Sequence, residues 1–235
     1  MRKIPRLLTA TVAAAALGPQ VSVAAPSVPV GPNHGEFVSR IDNPWFPLRP
    51  GTVLTYRGTR DGKTAIDVMT VTKRKRAIAG IQATVVRDRL YLNGRLAERT
   101  TDWYAQDRLG NVWYLGEATA TLDRHGKVVS TEGTWKAGTD GARAGIYMPA
   151  HPRVGQTGWQ EFYKGHAEDR YRILSLSAHT SSPLASDHAL LSQETTRLEP
   201  GVIDHKLYLR GIGTVREETV KNGHERLVLV SIKRP

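Results

Sequence analysis

The sequence predicts an all-β protein, an antiparallel meander that forms a strongly curved sheet or β-barrel, with one long Gly-rich loop. Three observations predict it. Turn signals recur at Asp61-Gly62, Ala79-Gly80, Asn93-Gly94, Leu109-Gly110-Asn111, His125-Gly126 and Asn222-Gly223. Asn-Gly and Asp-Gly suit two-residue hairpins because both central positions tolerate φ > 0. The segments between them, such as "TVLTYRG", "AIDVMTVTKRKR", "QATVVRDRLYLNG", "KLYLRG" and "RLVLVSIK", are rich in Val, Ile, Thr, Tyr and Leu. No segment carries a long 3.6-residue apolar period. Sequential hairpins of this kind give roughly ten strands, and a sheet that long curls or closes.

Taken in order, the chain begins with a basic stretch (Arg2, Lys3, Arg6), an apolar run from Leu7 to Leu17, and small residues at Ser22, Ala24 and Ala25. That pattern predicts a secretory signal peptide over 1–25, with a run too short for a membrane span. No transmembrane span is expected after cleavage, and the protein is expected to be secreted or held in the cell envelope. Residues 26–41 are Pro- and Gly-rich and read as a linker. A single β-barrel-like domain follows over 42–235. It opens on Trp45 and Phe46, which are costly to leave in water. Residues Thr131 to Pro152 break the hairpin rhythm and read as the long loop crossing one mouth. A short helical turn is expected within "PLASDHALL" (183–191).

Composition narrows the chemistry. There is no cysteine, which excludes disulfides, Cys-ligated zinc, Cys nucleophiles and a cysteine-linked lipid anchor. The net charge is +11, and loss of Arg2, Lys3 and Arg6 with the signal peptide leaves about +8. An exported basic protein meets anionic partners, so an anionic envelope polymer is one candidate partner. Nucleic acid is not expected, because the basic residues are spread along the chain without a recognition-helix or RNP-like signature. No GxSxG elbow, phosphate-binding Gly-rich loop or HExxH motif is present. No cofactor and no metal site are expected.

Candidate site residues come from strand parity. With Glu98 to Asp107 as a strand, Glu98, Thr100, Asp102, Tyr104 and Gln106 share one face, and Trp103 and Ala105 the other. On the return strand, Val112 and Tyr114 oppose Trp113, Leu115 and Glu117. An ordinary amphipathic hairpin explains this as well as a site does. In "GWQEFYKGHAEDRY", Trp159, Glu161 and Tyr163 share a face, and apolar surroundings would raise the pKa of Glu161; an ion pair with arginine is the plainer reading. His205 sits at the start of an alternating strand, where a lone His is usually structural. The ligand-binding candidates are therefore Tyr104, Trp113, Tyr114, Trp159 and Tyr163, and the acid–base candidates Asp102, Glu161 and His205. Asp102, Asp107, Glu117 and Glu161 could supply a glycosidase-like pair, which their separation decides. "KRKR" at 73–76 reads as a solvated hairpin end, with contact to an anionic polymer as the alternative.

The stretches "DNPWFPLRPGTVLTYRG", "DWYAQDRLGNVWYLGE", "STEGTWKAGTDGARAGIYMPAHPRVGQ", "AEDRY" and "LEPGVIDHKLYLRGIGTVREE" resemble a family of exported bacterial all-β proteins. The likeness runs from about Asp42 to Ile232. "NPWFPLRPGTVLTYRG" and "YLRGIGTVREE" are also similar to curved-sheet envelope domains of the lipoprotein-carrier and DUF3108 kind. The resemblance implies export and an all-β fold, and carries over no catalytic residue. Three functions stay open. One is an exported protein holding a small apolar or amphipathic molecule, or a glycan segment, on a concave face. The others are an exported hydrolase or lyase with carboxylate/His chemistry, and an envelope interaction protein with a basic surface.

Overall fold

The computed structural model describes residues 31–32, 37–180, 184 and 186–235. The expected signal peptide and most of the expected linker lie outside them. The described chain is all-β. Its strands are β1 (Phe37–Val38), β2 (Val53–Arg60), β3 (Lys63–Ile78), β4 (Ile81–Leu92), β5 (Arg95–Asp107), β6 (Val112–Leu122), β7 (Val128–Ser130), β8 (Trp135–Lys136), β9 (Arg143–Met148), β10 (Thr157–Trp159), β11 (Glu161–Phe162), β12 (Asp169–Thr180), β13 (Ser186–Thr196), β14 (Ile203–Leu209), β15 (Gly213–Lys221) and β16 (Glu225–Lys233). Among the described residues no helix is long and apolar enough to cross a membrane.

The turn chemistry acts as the sequence predicts. Asp61, Ala79 and Asn93 have φ of 49°, 46° and 49°, and the glycines after them 73°, 77° and 78°. Both central positions are left-handed, which matches the right-handed twist of the flanking strands. Long antiparallel hairpins result, with β3 on β4, β4 on β5 and β5 on β6, each pairing interrupted by one bulge.

The strands form one antiparallel sheet, ordered β10-β12-β13-β14-β15-β16-β2-β3-β4-β5-β6-β9-β11. The two ends of that path are consecutive in the chain. Trp159 of β10 pairs with Arg170, and Glu161 of β11 pairs with Ala144 of β9. The sheet thus nearly closes into a barrel at Gln160, where one segment changes partner. The seam depends on Gly145, where an added Cβ would stand 2.3 Å from the Trp159 carbonyl oxygen.

Residues 41–48 fold across one end of the barrel. The Gln106 side-chain oxygen accepts from the backbone of Asp42 (2.9 Å) and Asn43 (2.8 Å). Asn43 donates to the carbonyls of Gly110 (2.9 Å) and Pro149 (3.1 Å), and Gly211 N donates to Pro44 O at 2.7 Å. This plug buries Trp45 and Phe46 to 3 % exposure each, which explains two large aromatics before the first long strand.

The structure differs from the sequence expectation in four places. The described residues form sixteen strands rather than about ten, because β1, β7, β8, β10 and β11 are pieces of two or three residues, too short to show a side-chain alternation. Thr131 to Pro152 is not one loop: β8 and β9 lie within it and both pair with β6. The expected helical turn is strand from Ser186 onward, since pairing on both sides with β12 and β14 overrides local preference. The expected linker ends in β1, where Phe37 and Val38 pair with Asp107 and Gln106.

Candidate functional site

Four neighbouring strands carry a slanted row of inward carboxyl groups. On β3, Ala65, Asp67 and Val71 are buried on one face. Asp67 is therefore a carboxyl group at a core-facing position. On β4, Asp88 shares a face with Val86 and Leu90, which pair with Asp102 and Asp67 respectively. On β5, Asp102 is 4 % exposed and pairs directly with Glu117 of β6, itself 1 % exposed.

The bulge in β6 makes that last pairing. Tyr104 opposes Tyr114 and Trp103 opposes Gly116, which leaves Leu115 as the extra residue. One extra residue reverses the alternation beyond it. Glu117 therefore lies on the same face as Tyr114, which corrects the parity expectation that set them apart. Gly116 has φ of 138° and lies so close to β8 that a Cβ would meet the Trp135 carbonyl oxygen at 2.4 Å.

These groups surround a cavity of about 40 Å³, lined by Asp67, Asp88, Asp102, Glu217 and Lys206 with Phe46, Tyr56, Tyr104 and Tyr147. Such a space holds about three waters. Burial, and then the facing Asp88 charge and hydrogen bond, push the Asp67 carboxyl well above its ordinary range. Apart from the facing Asp88, no side chain or backbone group donates a hydrogen bond to either Asp67 oxygen. The facing Asp88 thus makes ionisation of Asp67 costly. Burial raises Asp102 to about 7, with the Asp88 charge adding to it and the hydrogen bond from Tyr114 opposing it. The Tyr114 hydroxyl donates to Asp102 Oδ1 at 2.6 Å. Burial also raises Glu217, against the pull of Lys206.

Lys206 is the cation on this wall. Its ammonium is 2.6 Å from Glu194 Oε2 and 3.9 Å from Glu217 Oε2. Burial alone would neutralise both partners. The two glutamates instead hold Lys206 well above its usual range, and Lys206 holds Glu194 below its own. Gln160, Ser192 and Tyr208 donate to Glu194 Oε1 at 3.1, 3.4 and 3.3 Å. A second cavity of about 20 Å³ lies beyond Tyr147, lined by Tyr114, Glu117, Gln160, Glu161, Asp169, Glu194 and Lys206.

The sequence candidates divide. Asp102 and Tyr104 line the first cavity, and Tyr114 and Glu161 the second. Tyr104 and Tyr114 stack at 4.7 Å between centroids. Trp113 faces the other way and donates from Nε1 to Asp107 Oδ2 at 2.8 Å. Asp107 is occupied as an acceptor for Asn111 and Trp113. The expected shared face of Trp159, Glu161 and Tyr163 does not form. The chain kinks at the seam, so the adjacent Gln160 and Glu161 both line the second cavity. The Trp159 ring packs on Phe162 and Arg170 instead, and Tyr163 stacks on His166. His205 pairs with Gln193 and Glu218 on the face opposite Lys206. It is thus away from the interior carboxyls, and burial lowers its pKa. Among the described residues no group of three or more His, Asp or Glu side chains is placed to hold a metal ion.

Sequence reasoning missed Asp67, Asp88, Glu194, Lys206 and Glu217. The usable signal was a charged residue in step with apolar positions, as in "AIDVMTV" and "HKLYL".

No family model matches the chain, and no curated protein matches it. Among solved structures, the chain is similar to a candidate lipoprotein from Parabacteroides distasonis ATCC 8503. The two are 11 % identical with a TM-score of 0.42, over 80 % of this chain and 97 % of the other.

Proposed function

We propose that the protein is an exported binding protein that holds a small amphipathic molecule by an amine group inside the barrel. One observation supports this reading: nothing but the facing Asp88 is placed to hydrogen-bond the buried Asp67 oxygens, and both carboxyls border a cavity. A buried acceptor without a donor is a standing cost. A primary ammonium supplies three donors and a positive charge beside these carboxyls. Tyr56, Tyr104 and Tyr147 line the same cavity, and the Tyr147 ring already carries the Lys206 ammonium over it. The cavity offers four carboxyl groups to one amine, and that amine is already bound to Glu194. Against the usual ~300 Å³ lower bound for ligand pockets, a volume of about 40 Å³ suits a head group and is too small for a glycan segment.

The test is calorimetric titration with octylamine, with 1-octanol as the uncharged control. Octylamine is expected to bind, octanol at least about tenfold more weakly, and the Asp67→Asn/Asp88→Asn variant is expected to lose the preference. Equal binding of octylamine to the folded variant, or none to the wild type, overturns the reading. Native mass spectrometry of protein isolated from its producer adds an independent check, because a bound amine appears as mass lost on denaturation.

A second reading rests on Asp102, which is buried, pushed up to about 7 and hydrogen-bonded to Tyr114. A carboxyl with that pKa suits general acid–base catalysis. Hydrolysis of ester or glycoside substrates that Asp102→Asn abolishes would favour this reading.

A further inference from the structure

The outer surface at the plugged end of the barrel has a character of its own. The antiparallel register brings the β5–β6 turn, the β14–β15 turn and the 149–156 loop to this end. The plug joins them through Gly110, Gly211 and Pro149. The arm of β3 reaches it too, where Lys75 Nζ donates to Ser39 O at 2.7 Å. A bulge between Val71 and Lys75 interrupts pairing with β4, so Lys73 and Arg74 project outward. With Arg108, Arg153 and Arg210, all exposed, they give this rim a concentration of positive charge. Asp42, Asp140 and Asp187 are the exposed acids near it among the described residues. The opposite end carries both signs, with Asp61, Asp123 and Glu199 beside Arg95, Arg124 and Lys127.

Two large apolar side chains stand out from the same rim. Leu109, at the tip of the β5–β6 turn, is 76 % exposed, and Val154 in the neighbouring loop is 63 % exposed. Leu109 borders a groove of about 400 Å³ lined also by Trp45, His151, Pro152, Leu176 and Arg210, and Val154 follows two residues after Pro152. An arginine ring suits any polyanion. Protruding leucine and valine gain nothing from a soluble polyanion, whereas a bilayer interface accepts apolar tips and attracts the arginines around them. The plug relates this surface to the interior: Trp45 and Asn43 line the outer groove, and Phe46 lines the inner cavity.

We propose that this basic rim, with Leu109 and Val154 at its tips, docks the protein on the surface of an anionic phospholipid bilayer. Docking in this pose turns the plug toward the lipid. The experiment is co-sedimentation of the mature chain with phosphatidylcholine–phosphatidylglycerol vesicles and with pure phosphatidylcholine vesicles. Two double variants are compared, Leu109→Ser/Val154→Ser and Arg108→Glu/Arg153→Glu, each checked for an unchanged melting temperature. The wild type is expected to sediment with the anionic vesicles alone, and each variant to bind about tenfold more weakly or worse. Absence of binding to anionic vesicles overturns the proposal. So does a serine variant that binds like the wild type while soluble polyphosphate displaces both, since the rim is then a polyanion surface.

Discussion

The Tyr114 hydroxyl donates to Asp102 Oδ1 at 2.6 Å across the β5–β6 hairpin, although Asp102 pairs with Glu117 and Tyr114 with Tyr104. Without the bulged Leu115, Asp102 would have another neighbour and Glu117 would leave this face. The bond places a tyrosine beside a carboxyl that burial has raised to about 7.

This raised carboxyl sets the sign of one pH dependence. The folded state keeps the Asp102 proton up to about 7, while the unfolded chain releases it near 3.8. Stability is therefore greatest at low pH on this account and falls as pH rises from about 4 to 7. The loss is on the order of 4 kcal/mol at most. Denaturant titrations across that window are expected to show the decline, and Asp102→Asn to flatten it. Asp67 and Glu217, raised in the same direction, keep part of the slope.

Tyr114→Phe removes the donor and leaves the carboxyl buried. The expected cost is about 1–3 kcal/mol. Because this hydrogen bond lowers the Asp102 pKa, its loss moves the titration midpoint upward. Carbon-13 NMR of the aspartate carboxyls reads that shift directly; a midpoint that stays or falls contradicts the assignment.

Lys206→Met leaves Glu194 as a buried carboxylate without its cation, at an expected cost of about 3–5 kcal/mol in chemical denaturation. Adding Glu194→Gln restores an uncharged acceptor for Gln160 and Tyr208 and is expected to recover part of the loss. A double variant that is weaker than the two singles combined would show that the pair does not act as a unit.

Gly116→Val meets both a left-handed φ and the Trp135 carbonyl at 2.4 Å from the new Cβ. A loss of about 2 kcal/mol or more is expected. It is expected to come with a change in the near-ultraviolet signal of Trp103, whose ring contacts Gly116 at 3.2 Å from that Cβ position. Gly94→Ala, also at positive φ but with open space around it, is expected to cost about 1 kcal/mol.

The site was half legible in the sequence. Asp102 and Tyr104 can be placed on one face because β5 alternates through them, the extra residue of the bulge lying in β6. Glu161 was singled out on a face shared with Trp159 and Tyr163, but the chain kinks at Gln160 and turns it toward other neighbours. Asp67 and Lys206 were passed over because a single charge in an alternating strand resembles solvent exposure. Only the opposing wall shows that each points inward. The sequence points to His205 as a titratable group, while the next residue, Lys206, faces the cavity.

The sequence by itself determined the all-β class and the hairpin turns, because backbone handedness at Asn-Gly and Asp-Gly and the two-residue side-chain period are local properties. It also determined the surplus of positive charge. Tertiary structure decided how the sheet closes at Gln160, which carboxyl groups meet, and where the basic residues gather. Those outcomes depend on bulges, on a partner change at the seam and on a plug anchored by Asn43 and Gln106. Each is set by packing between segments far apart in the chain, which no local pattern encodes.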